Sequence, residues 1–423
     1  MASAQTTGLE GRKIFIHAML YGGARLFAAA FRAVGLDAEV TPPSDALTLQ
    51  LGESFTGGDE CFPAKITLGD YLKVLTRQGA DPARTVLLMP GADGPCRFGQ
   101  YAVHLRYLLR RCGFAETGVM SPSCADGYEM PAALHRTGWR AVVASDILLK
   151  LLLQHRPYEA EPGAADKLYA DCIEEVAQAI ERAPLEAGPQ MRAIRTALVR
   201  CRDRFRRLPL ERDPARPLIG VVGEIFCRLN CFSNRDLLRK LEQYGAETWL
   251  SDVAEWVWYS NAEQFRLLRL NGRGFSRQAL VARLRAWIQR RDEWQLLAPF
   301  REDFAGYEEP SIREVLEAAR PYLPQEGAIG EMVLNVGKAV CLARRGVDGI
   351  VDISPFTCMN GVVSEALYPR LSRDLGGIPI RTFYFDATQT DLDSDLGVFL
   401  ELVRGFRLRK SRRRPWPRRW QSG

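Results

Sequence analysis

The chain has 423 residues, 47% of them hydrophobic and 26% charged, an ordinary core-forming mixture long enough for two or three domains. Lys and Arg number 57 against 51 Asp and Glu, yet eight of the basic residues and no acidic one fall in Phe406–Gly423. Without that tail the balance is 49 against 51, which argues against nucleic acid as a partner of the folded body.

Met1–Arg12 lacks the apolar run of a signal peptide, so the expectation is a cytoplasmic protein. Ile14–Leu20 and Ile147–Leu153 are too short to span a bilayer, and Lys150 interrupts the second. Lys13–Ala18 reads as a strand, Ala24–Val34 as a helix stopped by Gly35, and Ala38–Thr41 as a strand ended by Pro42 and Pro43. Pro63–Arg77 follows as a helix, Thr85–Met89 as a buried strand, Gln100–Cys112 as a helix and Gly118–Ser121 as a short strand. This rhythm predicts a mostly parallel sheet with helices on both faces.

Ala165–Arg182 and Met191–Arg207 carry apolar residues at helical spacing. A second α/β rhythm then begins: strand Leu218–Val222, helix Arg235–Tyr244, strand Glu247–Leu250. Helical and irregular pieces fill Val253–Leu323. Helix Gly330–Arg345, strand Gly349–Ile353, helix Gly361–Asp374, strand Pro379–Phe383 and helix Asp391–Arg404 complete the pattern. The expected organisation is an α/β lobe over 1–160, a helical connector over 161–214, and a second α/β lobe over 215–405 with a helical insertion at about 253–325. A basic disordered tail over 406–423 follows.

Ten cysteines are scattered through the chain with no CxxC pair, which fits neither a disulfide scaffold nor a structural zinc site. Three of them occupy loops of one kind. Cys61 lies in GGDECFPAK before a helix. Cys96 in MPGADGPCRFGQY and Cys358 in ISPFTCMNG each lie between a strand and a helix. Helix N-termini favour a thiolate, and open α/β sheets place ligands at the carboxyl ends of their strands. Thiolates without histidine support suit zinc or an iron–sulfur cluster. Three thiolates on a four-iron cluster leave one iron open to a substrate. Against this stands the ordinary role of a lone cysteine as a small core residue.

At these loops the sequence resembles the dehydratase component of the 2-hydroxyacyl-CoA dehydratases, in the branch associated with CoA-enzyme activases. The resemblance is carried by ECFPAK at Glu60–Lys65, GPCRFGQY at Gly94–Tyr101, GEIFCRLN at Gly223–Asn230 and PFTCMNG at Pro355–Gly361. It implies two Rossmann-like lobes with parallel sheets and a [4Fe–4S] cluster held by Cys61, Cys96 and Cys358 between them. It also implies a separate ATP-hydrolysing activator of actin-like fold that delivers a low-potential electron for radical dehydration or reduction of a substrate. Acyl-CoA or another small molecule would be that substrate, and homo- or hetero-oligomers occur among such proteins. Cys124, Cys227 and Cys231 are further ligands that a larger, double-cubane cluster would draw on. Neither GxxxxGK[ST] nor GxGxxG after a strand is present, so ATP hydrolysis belongs to another chain.

Lys65, Arg97 and Gln100 are candidates for binding substrate, with a plain alternative as helix-start residues, and Glu224 and Asn230, in the loop after strand Leu218–Val222, could line the cleft. Asn234 reads equally well as a cap. Tyr101 could hydrogen-bond a substrate, and His17 and His104 could donate protons. Trp249, Trp256, Trp258 and Tyr259 read first as core packing, and Asp386 with Asp391–Asp395 as caps and surface charge. Cys112, Cys172, Cys201 and Cys341 fall in helices and read as packing residues. Two alternatives remain: a non-catalytic iron–sulfur electron-transfer module, and a metal-free two-lobe small-molecule binder.

Overall fold

The computed structural model describes residues 9, 11–92, 94, 96–123, 130–324, 327–388 and 391–417. In the first part of the chain β1 (Lys13–Ile16), α1 (Tyr21–Ala33), β2 (Ala38–Val40), α2 (Ala46–Glu53), α3 (Phe62–Thr76), β3 (Thr85–Leu88), α4 (Tyr101–Arg111) and β4 (Gly118–Met120) alternate. Three long helices follow: α5 (Ala132–His155), α6 (Ala164–Arg182) and α7 (Ala187–Arg206). The rhythm resumes with β5 (Leu218–Gly223), α8 (Ile225–Leu229), α9 (Leu237–Gln243) and β6 (Glu247–Leu250). Next come α10 (Val253–Leu270), α11 (Arg277–Leu297), α12 (Ile312–Ala319) and α13 (Glu331–Arg345). The last elements are β7 (Gly349–Pro355), α14 (Met359–Asp374), β8 (Ile380–Phe385) and α15 (Leu392–Arg409).

The fold is α/β, with two four-stranded sheets flanked by helices in two Rossmann-like lobes. Every pairing is parallel. The reason is local: β3 (TVLL) and β5 (LIGVVG) are buried along their whole length, as central strands covered on both faces must be. Sheet order is β2-β1-β3-β4 in one and β6-β5-β7-β8 in the other, the same arrangement twice. Each sheet reverses direction of growth between its first and third strands, β1 beside β3 and β5 beside β7. Crevices at the carboxyl ends of such strand pairs are where open α/β sheets take ligands.

The chain divides into two compact units: residues 1–148, 169–203 and 256–298, and residues 149–168, 204–255 and 299–423. The connector and the insertion expected from sequence are each shared between the two. In the first unit Phe15 and Leu87 of the sheet pack with Tyr71, Leu72 and Leu75 of α3 and Leu105 of α4. In the second, α13 packs on β5, and its Leu342 fills the space that Gly220 leaves open.

The tail departs from the expected disorder. Helix α15 continues to Arg409, and Arg414 is buried in the second unit. Its guanidinium pairs with Glu247, at the start of β6, and donates to the Arg216 carbonyl (2.8 Å) and the Tyr307 hydroxyl (2.8 Å). Lys410 bonds Asp348 (2.8 Å) just before β7. The expectation failed because these charges have buried acceptors waiting, which composition alone does not reveal. Residues 418–423 lie outside the described residues.

Candidate metal centre

Cys61, Cys96 and Cys358 share one backbone role. Cys61 is the N-cap of α3, Cys358 of α14 and Cys96 of the short 3-10 turn Arg97–Gln100 that leads into α4, each with extended φ/ψ. Natural caps at this position are usually Ser, Thr, Asp or Asn. A sulfur here sits where the first N–H groups of the helix emerge, which favours a thiolate.

In the first unit the loops of Cys61 and Cys96 meet. The Tyr101 hydroxyl hydrogen-bonds the Cys61 thiol (2.5 Å), and Arg97, the residue after Cys96, donates to the Asp59 carbonyl (2.6 Å). Glu60 accepts from the N–H groups of Gly57 (2.8 Å) and Gly58 (3.1 Å) and lies 3.6 Å from His104. Partial burial raises its pKa, but these N–H groups and His104 outweigh burial and hold it below the usual range. Cys61 is partly buried and Cys96 exposed. Cys124 lies outside the described residues, although Ser123 just before it bridges Gly91 beyond β3.

His17, at the end of β1, is 2.9 Å from Asp70. Asp70 also accepts from Ser44 (2.6 Å) and Thr48 (2.6 Å). Burial pushes this carboxyl up, yet His17 and the hydroxyls bring it below its ordinary value. Among the other sequence candidates here, Lys65 is half-buried within α3, while Arg97 and Gln100 are exposed.

In the second unit Cys358 follows β7 and is buried. Burial pushes its thiol up to about 12, opposed by the N–H groups of Gly361 and Asn360 and reinforced by Glu331 and Glu224. The thiol is therefore neutral at pH 7. Thr357 just before it has φ 62, a left-handed conformation that a β-branched residue adopts only under constraint. Glu224, the first residue after β5, caps α8 by accepting from Phe226 (3.0 Å) and Cys227 (2.8 Å) N–H groups. Cys227 is buried and Cys231 exposed. Asn230 accepts from both the N–H and the hydroxyl of Ser233 (2.8 Å each), and Asn234 donates to the Cys227 carbonyl (2.8 Å). Both asparagines are engaged in shaping the turn after α8.

Sequence reasoning passed over the side chains that surround this turn: Arg228, Glu331, Asn335 and Asp352. Glu331 accepts from the Ile225 N–H (2.8 Å) and Asn335 from the Gly223 N–H (3.1 Å). Burial, and then Glu224, raise the Glu331 carboxyl to about 8, and burial raises Asp352 to about 6. The only signal in the sequence was Gly330 opening a helix that begins with an acid. Cys172, Cys201 and Cys341 are buried within α6, α7 and α13, while Cys112 ends α4.

All nine described cysteines are thiols rather than disulfides. Cys61 and Cys96 belong to the first unit and Cys358 to the second; thiolate donors in general suit soft metals and iron–sulfur clusters. Among the described residues no three His, Cys, Asp or Glu side chains are gathered closely enough to hold a single metal ion, and no helix is long and apolar enough to cross a membrane. No protein-family model and no curated protein matches the chain.

Proposed function

We propose that this chain is an iron–sulfur protein of the 2-hydroxyacyl-CoA dehydratase component type, with Cys61, Cys96 and Cys358 as ligands of a [4Fe–4S] cluster. The observation that carries the proposal is that all three cysteines are helix N-caps and that the two in the first unit stand in loops joined to each other. A bound cluster of this kind supplies one-electron chemistry at low potential, with an iron left open where only three thiolates ligate it. The residues have separable tasks. Arg97 ties the Cys96 loop to Asp59, beside Cys61. Tyr101 hydrogen-bonds the Cys61 sulfur, an interaction that lowers the electron density of a thiolate and raises the potential of whatever it binds. Cys358 loses its proton only as metal binds, so loading should release protons and weaken at low pH.

Electrons would come from a separate ATP-hydrolysing activator of actin-like fold, and the substrate would be a 2-hydroxyacyl-CoA or a small reducible molecule. Iron and sulfide on anaerobically reconstituted protein provide the test. About four of each per chain is the expected result, with sharp loss in Cys61→Ser, Cys96→Ser and Cys358→Ser. Cys172→Ser, a packing position, should keep its iron. A colourless, iron-free wild type after reconstitution would sink the reading and leave the metal-free binder.

A further inference from the structure

At the carboxyl ends of β5 and β7 a group of side chains is left over by the metal reading. Glu224 caps α8, Glu331 holds the Ile225 N–H, and Asn335, one helical turn further along α13, holds the Gly223 N–H. Three consecutive residues, Gly223 to Ile225, are thus fastened to their own turn or to the start of α13.

Arg228 projects from α8 in this setting and is 4% exposed. Its Nε has no hydrogen-bond partner, and neither does the Nδ2 of Asn335, which is 2% exposed. Arg228 acts on Glu224, Glu331 and Asp352 through space, but none of them comes into ion-pairing contact with it among the described residues. Asp352 stands opposite Val222 in the β5–β7 ladder, and Glu331 precedes Asn335 by one turn, so both orphaned donors belong to the same end of the same two strands. A buried guanidinium Nε and a buried amide nitrogen without partners are costly, and native structures rarely keep them. Two together, at the reversal point of a parallel sheet, mark a place where a ligand completes the hydrogen bonding.

We propose that Arg228 and Asn335 form a binding site for a small carboxylate-bearing molecule at the carboxyl ends of β5 and β7. The planar fork of a guanidinium matches a carboxylate in two parallel hydrogen bonds, and the Asn335 amide supplies a third donor. A phosphate dianion fits less well, because it would bring a second negative charge beside Glu224 and Asp352, whose ionised forms burial already disfavours. The protonated Glu331 carboxyl is able to donate to a ligand oxygen. This site goes beyond the cluster reading and does not depend on it.

The test uses the full-length, iron-free chain, so failure to bind iron leaves it untouched. Acetate and propionate are titrated against wild type by calorimetry and thermal melting, with inorganic phosphate at equal ionic strength as the contrast. Wild type should bind at least one of the carboxylates and melt higher in its presence. Arg228→Gln should weaken that binding by more than about tenfold, and Asn335→Ala, which keeps the guanidinium, should weaken it less. Asn335→Ala also guards against a folding defect in Arg228→Gln. If wild type binds neither carboxylate, if phosphate binds as well as they do, or if Arg228→Gln binds undiminished, the assignment is overturned.

Discussion

Glu309 gathers three donors: Lys150 (2.9 Å), the Trp249 indole (2.8 Å) and Lys338, which also bonds Glu255 (2.6 Å). Burial pushes its carboxyl up, but the two ammonium groups win and hold it at about 2, against an ordinary value of 4.5. The neighbouring Asp252 goes the other way, raised by burial and by Glu309 to about 6. The unfolded chain takes up the Glu309 proton near pH 4.5, whereas the folded chain resists until about pH 2. Its contribution is therefore complete above pH 4.5 and fades as the pH falls toward 2. Glu309→Gln should melt well below wild type at pH 7, because two buried ammonium groups lose a counter-charge. The gap should narrow between pH 4.5 and 2. Melting curves across that range settle it, and an equal gap at pH 7 and pH 2.5 would remove Glu309 as the acid-sensitive group.

At the scale of elements, the helix that begins at Cys61 is set by contact with α2. An added Cβ on Gly69 would fall 1.8 Å from the Thr48 carbonyl oxygen, and one on Gly52 only 2.1 Å from that of Lys65. The two backbones touch, so Gly69→Ala must drive α2 and α3 apart. It should cost about 2–4 kcal/mol and, by shifting α3, reduce iron retention in reconstituted protein. A variant that melts and loads like wild type would show that α2 does not position Cys61. Helix α2 itself was not foreseen, since ALTLQLGE lies between Pro42-Pro43 and Gly57-Gly58 and is only eight residues long. Its signal was present nonetheless: the Asp45 side chain accepts from the Thr48 N–H and Thr48 accepts from the Asp45 N–H, a capping box. Helix α5 escaped for the opposite reason. It is buried almost all round from Trp139 to His155, and a helix with no polar face has no period to read. The strands were legible because TVLL and LIGVVG are short apolar runs between turn residues. The cysteine loops were legible because the strand–loop–helix punctuation around Cys96 and Cys358 is contiguous in sequence. Arg228, Glu331 and Asn335 were not, because Glu331 meets the β5–α8 turn across 106 residues, and only the β5–β7 pairing and the packing of α13 bring them there.

For the whole molecule, the formal charge of +6 changes meaning once the tail is placed. Arg407 donates to the Pro214 and Ala215 carbonyls, Lys410 to Gly346 (2.5 Å) and Val347 (3.1 Å), and Arg414 stacks 3.8 Å over the Trp416 ring. These partners precede β5 and β7, and Glu247 opens β6. The tail is thus a strap on the amino ends of the second sheet, at the end opposite Glu224 and Cys358. Glu247 is fully buried, and the hydroxyls of Tyr158 (2.7 Å) and Tyr307 (2.8 Å) remain to it if Arg414 is lost. Those two donors offset part of the charge, but a buried carboxylate without its cation still costs about 3 kcal/mol. Removal of Phe406–Gly423 should accordingly lower the melting temperature, and Arg414→Met alone should account for much of the drop. Adding Glu247→Gln to Arg414→Met should restore part of it, since the double variant buries no unpaired charge. Iron content per folded chain should be unchanged in the Arg414→Met, Glu247→Gln pair, because the strap and the cysteine loop occupy opposite ends of the strands. A truncated chain that melts with wild type would return the tail to the role of a free basic extension.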